Sequence, residues 1–262
     1  FALPKEQDLR KQSSESNVYI VTGSKGGIGR HLTQHLLAQD SQNVVIGLSR
    51  SAKQQSIQQG VREQHIQCDI SNGAQWQSLV EQIHQTFGSV KGIVHAAGLA
   101  GGAMIHTLNA DTLQQNVGAK VLGAIQLAHS IDTLKPEFVL YCSSMSSIYP
   151  VAGQTDYSAA NAFLNKMSSC RGDLTTRMIS VNFPTWLQTG MAKDINKTGF
   201  AITPQEGLMV FDRVIHSLFE GCLYVSPLNQ VDARNFFHSL NHRDVRTSND
   251  KNSAEQSGYS KD

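Results

Sequence analysis

Apolar and polar positions alternate along this chain in a repeated order. A short apolar run, Val18-Tyr-Ile-Val21, leads into a glycine-rich turn. Leu32, Leu36 and Leu37 then mark one face of a helix over Arg30 to Ala38. Val44-Val-Ile-Gly-Leu48 reads as a second strand, and His65 to Cys68 as a weaker third that ends at Asp69. Trp76, Leu79, Val80, Ile83 and Phe87 recur at helical spacing. Gly92-Ile-Val-His95 is a fourth strand, Leu113 to Ala128 a helix, and Phe138-Val-Leu-Tyr-Cys142 a fifth strand. A helix follows from Tyr157 to about Ser169, and Met178-Ile-Ser-Val181 is a sixth strand. Thr203-Pro204-Gln205-Glu206 combines a capping box with proline at the first helical position, and it starts a helix running to about Phe219. Cys222-Leu-Tyr-Val225 is a seventh strand. Such alternation predicts an α/β, doubly wound parallel sheet of the Rossmann type, with helices on both faces.

Residues 1–16 are polar and aperiodic and read as a linker, leaving 17–228 as the domain. Residues 229–262 read as a C-terminal linker, largely disordered beyond about Leu240. The start at Phe1 suggests a piece cut from a longer polypeptide. Composition narrows the classes. With 262 residues, 40% hydrophobic and 16% charged, the chain can bury one sizeable core. Its net charge of +1 gives no basic excess to attract nucleic acid or an acidic membrane surface. Cys68, Cys142, Cys170 and Cys222 are far apart, so buried free thiols in a reducing, cytoplasmic setting are favoured over a zinc site or disulfides. No apolar run is long enough to span a membrane, and no signal peptide is visible.

Thr22-Gly23-Ser24-Lys25-Gly26-Gly27-Ile28-Gly29 lies between a strand and a helix. Glycines there let the backbone turn tightly and approach a pyrophosphate, which then meets free N–H groups at the helix N-terminus. Without that context, such a loop is weak evidence, since some such matches are no more than a turn. The second strand ends at Ser49-Arg50, with no acid to accept from a ribose 2′-OH. Arg50 is either a solvated charge or the partner of a 2′-phosphate; the glycine loop and Lys25 favour the second, and hence NADPH over NADH. His95-Ala96-Ala97-Gly98 are small residues after the fourth strand, read either as core packing or as room for the cofactor's ribose. Asp69 is either an exposed turn residue or a contact to the adenine.

Tyr157 and Asn161 are one helical turn apart, and Ser144 follows the fifth strand. Lys120 lies on the apolar stripe of its helix, where a lysine is unusual unless its head reaches a cavity. A ketone that accepts a hydride at carbon needs a proton at oxygen. Tyr157 can supply it if a nearby ammonium lowers its ordinary pKa of about 10. Ser144 would hydrogen-bond the carbonyl, and Asn161 would hold a relay water or fix the lysine.

These residues carry a resemblance to the short-chain dehydrogenase/reductases, and specifically to the ketoreductase domains of modular polyketide synthases. The glycine loop, Leu48-Ser-Arg50, Cys68-Asp69-Ile70, Val94-His-Ala-Ala-Gly98, Gly118-Ala-Lys-Val-Leu-Gly123, Tyr141-Cys-Ser-Ser144, Tyr157-Ser-Ala-Ala-Asn161 and Ser180-Val-Asn-Phe-Pro184-Thr-Trp186 all match its pattern. Asn161 stands where other members of the superfamily have lysine, and Lys120 lies upstream; this exchange marks the polyketide ketoreductases. The resemblance implies Tyr157 as general acid, Ser144 as carbonyl partner, and Lys120 and Asn161 as tuning groups. It implies Cys68, Asp69, Ile70 and Pro184 in the cofactor site. It also implies NADPH as cofactor, and as substrate a 3-oxoacyl thioester on the phosphopantetheine arm of an acyl carrier protein, among neighbouring synthase domains. A noncatalytic α/β half usually precedes the catalytic half; only about sixteen residues precede the first strand here. Leu99-Ala-Gly-Gly102 lacks the aspartates of the D-producing class, so the product leans to L, although Tyr149 replaces the other class's tryptophan. The segment Gln188 to Thr203 is expected to be a lid. A freestanding reductase of a soluble ketone and a catalytically silent scaffold are the competing readings.

Overall fold

The computed structural model describes residues 16–99, 106, 108–150, 153–170, 175–190, 200–229, 231–232 and 235. The expected linkers at 1–16 and 229–262 lie almost wholly outside the described residues, as do 191–199 of the expected lid and Ala100-Gly101-Gly102. The chain divides into two units, Phe1–Val225 and Ser226–Asp262, and the main sheet belongs to the first.

That sheet has seven strands, all paired in parallel: β1 (Asn17–Thr22), β2 (Asn43–Ser49), β3 (Glu63–Gln67), β4 (Gly92–His95), β5 (Phe138–Ser144), β6 (Arg177–Phe183) and β9 (Gly221–Tyr224). Their order is β3-β2-β1-β4-β5-β6-β9. The chain runs outward from β1 to β3, then returns to lay β4 on the other side of β1. This reversal opens a crevice at the carboxyl ends of β1 and β4, where open α/β sheets bind ligands. A small second sheet pairs β7 (Thr185–Trp186) with β8 (Ala201–Ile202).

Period-two alternation divides the strands between two cores. Val18 and Ile20 of β1 join one core with Trp76, Leu79 and Ile83 of α2 (Gly73–Phe87), Leu127 of α3 (Ala110–His129), Leu134 of the short α4 (Ile131–Leu134), and Leu164 of α5 (Thr155–Met167). Tyr19 and Val21 join the other, with Leu32 and Leu36 of α1 (Gly27–Gln39) and Phe211 and Val214 of α6 (Pro204–Ile215). Among the described residues, no helix is long and apolar enough to cross a membrane.

Several element boundaries differ from the sequence reading. Helix α1 starts at Gly27, because the glycines themselves form its first turn. Helix α5 starts at Thr155, so Tyr157 lies within its first turn. Helix α6 keeps its expected capping box, in which the Thr203 hydroxyl accepts from Glu206 N–H, but stops at Ile215. There the Arg177 guanidinium donates to the carbonyls of Ile215, Ser217 and Phe219, so the chain turns away instead of continuing as helix. The cysteines also differ. All four are free, but only Cys68 and Cys142 are buried; Cys170 is exposed.

Candidate active site

The glycine loop is built for close approach. Gly23 has φ +67°, and a Cβ there would lie 2.8 Å from the Ala96 carbonyl oxygen, on the loop after β4. A Cβ on Gly29 would come within 2.3 Å of the Gly23 carbonyl oxygen, which holds helix α1 tight against the turn. Ser24 N–H donates to Leu48 O at 3.2 Å and ties the loop to the end of β2. The Ser24 hydroxyl is buried against His65, so it faces β3 rather than the crevice. Gly26 is the N-cap of α1 and provides no side-chain cap, whereas Asn72 caps α2 and Thr203 caps α6. An anion can therefore take the amide donors that a side chain takes elsewhere.

Lys25 and Arg50 are both exposed at the edge of this crevice, and Lys25 Nζ reaches the Ser51 carbonyl at 3.4 Å. Arg50, Asp69, Ser71, Asp111, Gln114 and Gly118 line a cleft of about 400 Å³ between the end of the sheet and helix α3. Of the three residues after β3, only Asp69 reaches this cleft; Cys68 and Ile70 belong to the core, where burial pushes the Cys68 thiol up to about 11. The Asp69 carboxylate accepts from both the Ser71 amide and hydroxyl, at 3.0 and 2.6 Å. Among the described residues, the buried Ser49 hydroxyl has no hydrogen-bond partner. Pro184 is buried just after β6, and Ala96, Ala97 and Gly98 leave an open floor beside β4.

The structure brings the four expected catalytic side chains together. Ser144 ends β5, and its hydroxyl oxygen accepts from Ser146 N–H at 3.2 Å. Its own proton is directed at the Tyr157 oxygen, which it hydrogen-bonds. Tyr157 is half-buried on α5. Burial holds its phenol above the ordinary value, while hydrogen bonds from Ser144 and Asn161 pull it back. Lys120 is 5% exposed on α3, and burial lowers its ammonium to about 8. The side chain stands close to Gly98, where a Cβ would lie 2.8 Å from Lys120 Cε.

Two expected roles change. Lys120 Nζ donates to the Cys142 carbonyl at 3.0 Å and stands 5.6 Å from the centre of the Tyr157 ring. It is held by β5 and not by Asn161. The phenol's net direction is upward, not downward, because desolvation outweighs the hydrogen bonds. The acid is thus kept protonated. Asn161 Nδ2 donates to the Tyr157 carbonyl at 2.7 Å, and its buried Oδ1 has no partner among the described residues, so it offers an acceptor to a water or amine.

His95 is expected among the cofactor residues, but its ring is fully buried. Its nitrogens are engaged by Thr22 Oγ1 at 2.8 Å and Lys120 O at 3.1 Å, so only its backbone neighbours the crevice. Behind the site lies a polar network that the sequence reading did not anticipate. Asn165 Nδ2 donates to Ser147 Oγ, which donates to Asn182 Oδ1 at 2.7 Å; Ser143 Oγ reaches the same oxygen at 2.9 Å and the Asn161 carbonyl at 3.1 Å. It links β5, α5 and β6. Its only sequence signal is Ser180 and Asn182 within an otherwise apolar strand.

The fold and this crevice have the form of an open parallel α/β sheet with a ligand cleft at its carboxyl edge. The chain matches the KR domain family over residues 17–188. It is 31% identical over 200 residues to polyketide synthase PksN of Bacillus subtilis, covering 71% of this chain and 4% of that protein. It is 27% identical over 262 residues to PksL of the same organism, covering 92% of this chain and 6% of PksL. It therefore spans only a small fraction of these relatives. A ketoreductase from the macrolactin assembly line superposes with a TM-score of 0.70 at 24% identity, over 90% of this chain and 49% of that one. A serine dehydrogenase complexed with NADP⁺ superposes at 0.66 with 18% identity, over 81% and 96%. The chain belongs to the ketoreductase domains of polyketide synthases, within the short-chain dehydrogenase/reductase superfamily.

Proposed function

We propose that this chain uses NADPH to reduce a 3-oxoacyl thioester, carried by an acyl carrier protein, to the 3-hydroxyacyl thioester. The observation that carries the reading is the convergence of Ser144, Tyr157, Lys120 and Asn161 beside the crevice. NADPH, when bound, supplies the hydride. The chain's own residues handle the oxygen. Ser144, which hydrogen-bonds Tyr157 in the free site, turns its proton to the ketone oxygen when substrate enters, and Tyr157, protonated at neutral pH, transfers its own proton to that oxygen. Lys120 provides a cation behind the phenol as the phenolate forms, and Asn161 Oδ1 holds the water that restores the proton.

The choice of NADPH is supported by Arg50 and Lys25 at the edge of the crevice, and by the NADP⁺ complex of the serine dehydrogenase. Uncapped amides at the start of α1 suit the pyrophosphate. The carrier-bound substrate and neighbouring synthase domains follow from the polyketide synthase relatives. The absence of aspartate in Leu99-Ala-Gly-Gly102 supports an L-configured product, against which Tyr149 stands in place of a tryptophan. A cytoplasmic setting accords with four free thiols. The test is to follow NADPH absorbance with a 3-oxoacyl pantetheine thioester and to resolve the product on a chiral column. The expected result is stoichiometric NADPH loss and one 3-hydroxyacyl enantiomer, the L form. No NADPH loss with the thioester, or turnover only with soluble ketones, would contradict the reading.

A further inference from the structure

His95 stands at the centre of a hydrogen-bond chain between the cofactor loop and the catalytic lysine. The Lys120 carbonyl can only accept, so His95 Nε2, 3.1 Å away, carries a proton. The Thr22 hydroxyl accepts from Ala97 N–H at 3.1 Å and lies 2.8 Å from His95 Nδ1. If Nδ1 is bare, Thr22 donates to it and every group in the chain is satisfied. If both nitrogens carried protons, Thr22 would face two donors and its own proton would lose this acceptor. The titratable groups against the ring are Lys120 of α3 and Tyr141 of β5, whose ring meets it edge-on with centroids 6.1 Å apart. Burial and the neighbouring ammonium lower the imidazole to about 4, which keeps it neutral. Gly123 makes the approach possible: a Cβ there would lie 2.8 Å from His95 Cε1, so α3 comes close to β4 only without one.

We propose that His95 is a positioning residue: as the neutral Nε2–H tautomer, it ties helix α3 at Lys120 to the cofactor loop at Thr22, and so sets where the lysine ammonium stands behind Tyr157. An apolar side chain would fill the same volume. It would leave the Thr22 hydroxyl without its acceptor and Lys120 without its lateral bond. The proposal rests on the reading of Lys120 and Tyr157 as the proton-delivery pair.

Two variants separate the two ends of the chain. In His95→Asn the side-chain oxygen falls near the place of Nδ1, so Thr22 keeps its acceptor while the bond to Lys120 is lost. In His95→Gln the amide nitrogen falls near the place of Nε2, so Lys120 keeps its donor while the Thr22 bond is lost. The whole chain is used, with NADPH affinity read by fluorescence titration and kcat read against pH. His95→Asn is expected to hold NADPH with near-normal affinity, lose roughly tenfold in kcat, and shift the alkaline limb of kcat. His95→Gln is expected to weaken NADPH roughly tenfold while keeping the wild-type alkaline limb. Equal changes in both readouts for both variants, or no change in either, would overturn the proposal. Nitrogen-15 NMR of the unmutated protein gives a test that does not depend on variant folding. The expected signals are a bare Nδ1 and a protonated Nε2 at pH 6 and above; the opposite tautomer, or a doubly protonated ring there, would overturn it. Tyr157→Phe is measured alongside. If it still turns over, the proton-delivery reading fails. If it is inactive while the two His95 variants behave alike, only the positioning role fails.

Discussion

Lys120 stands over the ring of Tyr157. Its ammonium lies 5.6 Å from the ring centre and is held by the Cys142 carbonyl at 3.0 Å. A cation there stabilises the phenolate as it forms, without removing the proton beforehand. The phenol remains an acid at neutral pH, as reduction requires.

The buried lysine has consequences for pH. Burial lowers Lys120 from the usual 10.5 to about 8. Its cation supports proton delivery, so kcat should fall as pH rises through about 8, and Lys120→Met should lack that limb and lose about 10²- to 10⁴-fold in rate. Stability should move the other way. Below pH 8 both folded and unfolded chains hold the proton, and the folded chain bears the full burial cost. Between pH 8 and 10.5 only the unfolded chain still binds it, so this group's contribution to stability rises with pH. Relative to Lys120→Met, the wild type should gain roughly 3 kcal/mol across that window, read by urea unfolding at several pH values. A constant difference between the two proteins would contradict the assignment.

Cofactor choice should depend on Arg50. It is exposed beside the cleft, with Lys25 nearby, and β2 ends without an acid. Arg50→Asp should weaken NADPH roughly 10- to 100-fold, the loss of one charge-assisted contact plus a repulsion, while NADH changes little. Fluorescence titration measures both. Equal wild-type affinity for the two cofactors would count against the cation pair.

The polar network behind the site should be costly to break. Asn182 Nδ2 donates to the Leu223 carbonyl, so its Oδ1 must face Ser143 and Ser147. Asn182→Ala removes an acceptor shared by two hydroxyls and should destabilise the fold by roughly 2–4 kcal/mol. Thermal unfolding is the measurement. A loss below about 0.5 kcal/mol would mean that the network rearranges at little cost.

The sheet was legible because each strand is a short apolar run bounded by a turn or helix signal. Even β3 was visible, as a weak run at His65 to Cys68, although the strand itself is Glu63–Gln67 with only two buried residues in five. The catalytic cluster was legible because Tyr157 and Asn161 share one helix and Lys120 sits on an apolar stripe. What was hidden depends on partners distant in the chain. The end of α6 at Ile215 is set by Arg177 of β6. The role of His95 is set by Thr22, 73 positions away, and by a backbone carbonyl of α3. The pairing of β7 with β8 joins two-residue strands too short to show any period. The raised pKa of Tyr157 depends on its depth of burial, which sequence spacing does not carry.

The central claim is that Tyr157 delivers the proton to a ketone whose carbon takes hydride from NADPH. Comparing wild type with Tyr157→Phe tests it most directly, using NADPH consumption with a 3-oxoacyl pantetheine thioester and NADPH binding by fluorescence. The substitution removes one hydroxyl from a half-buried ring. The account predicts that turnover falls by at least about 10²-fold while NADPH affinity stays within about threefold of wild type. Near-normal turnover by Tyr157→Phe would contradict it.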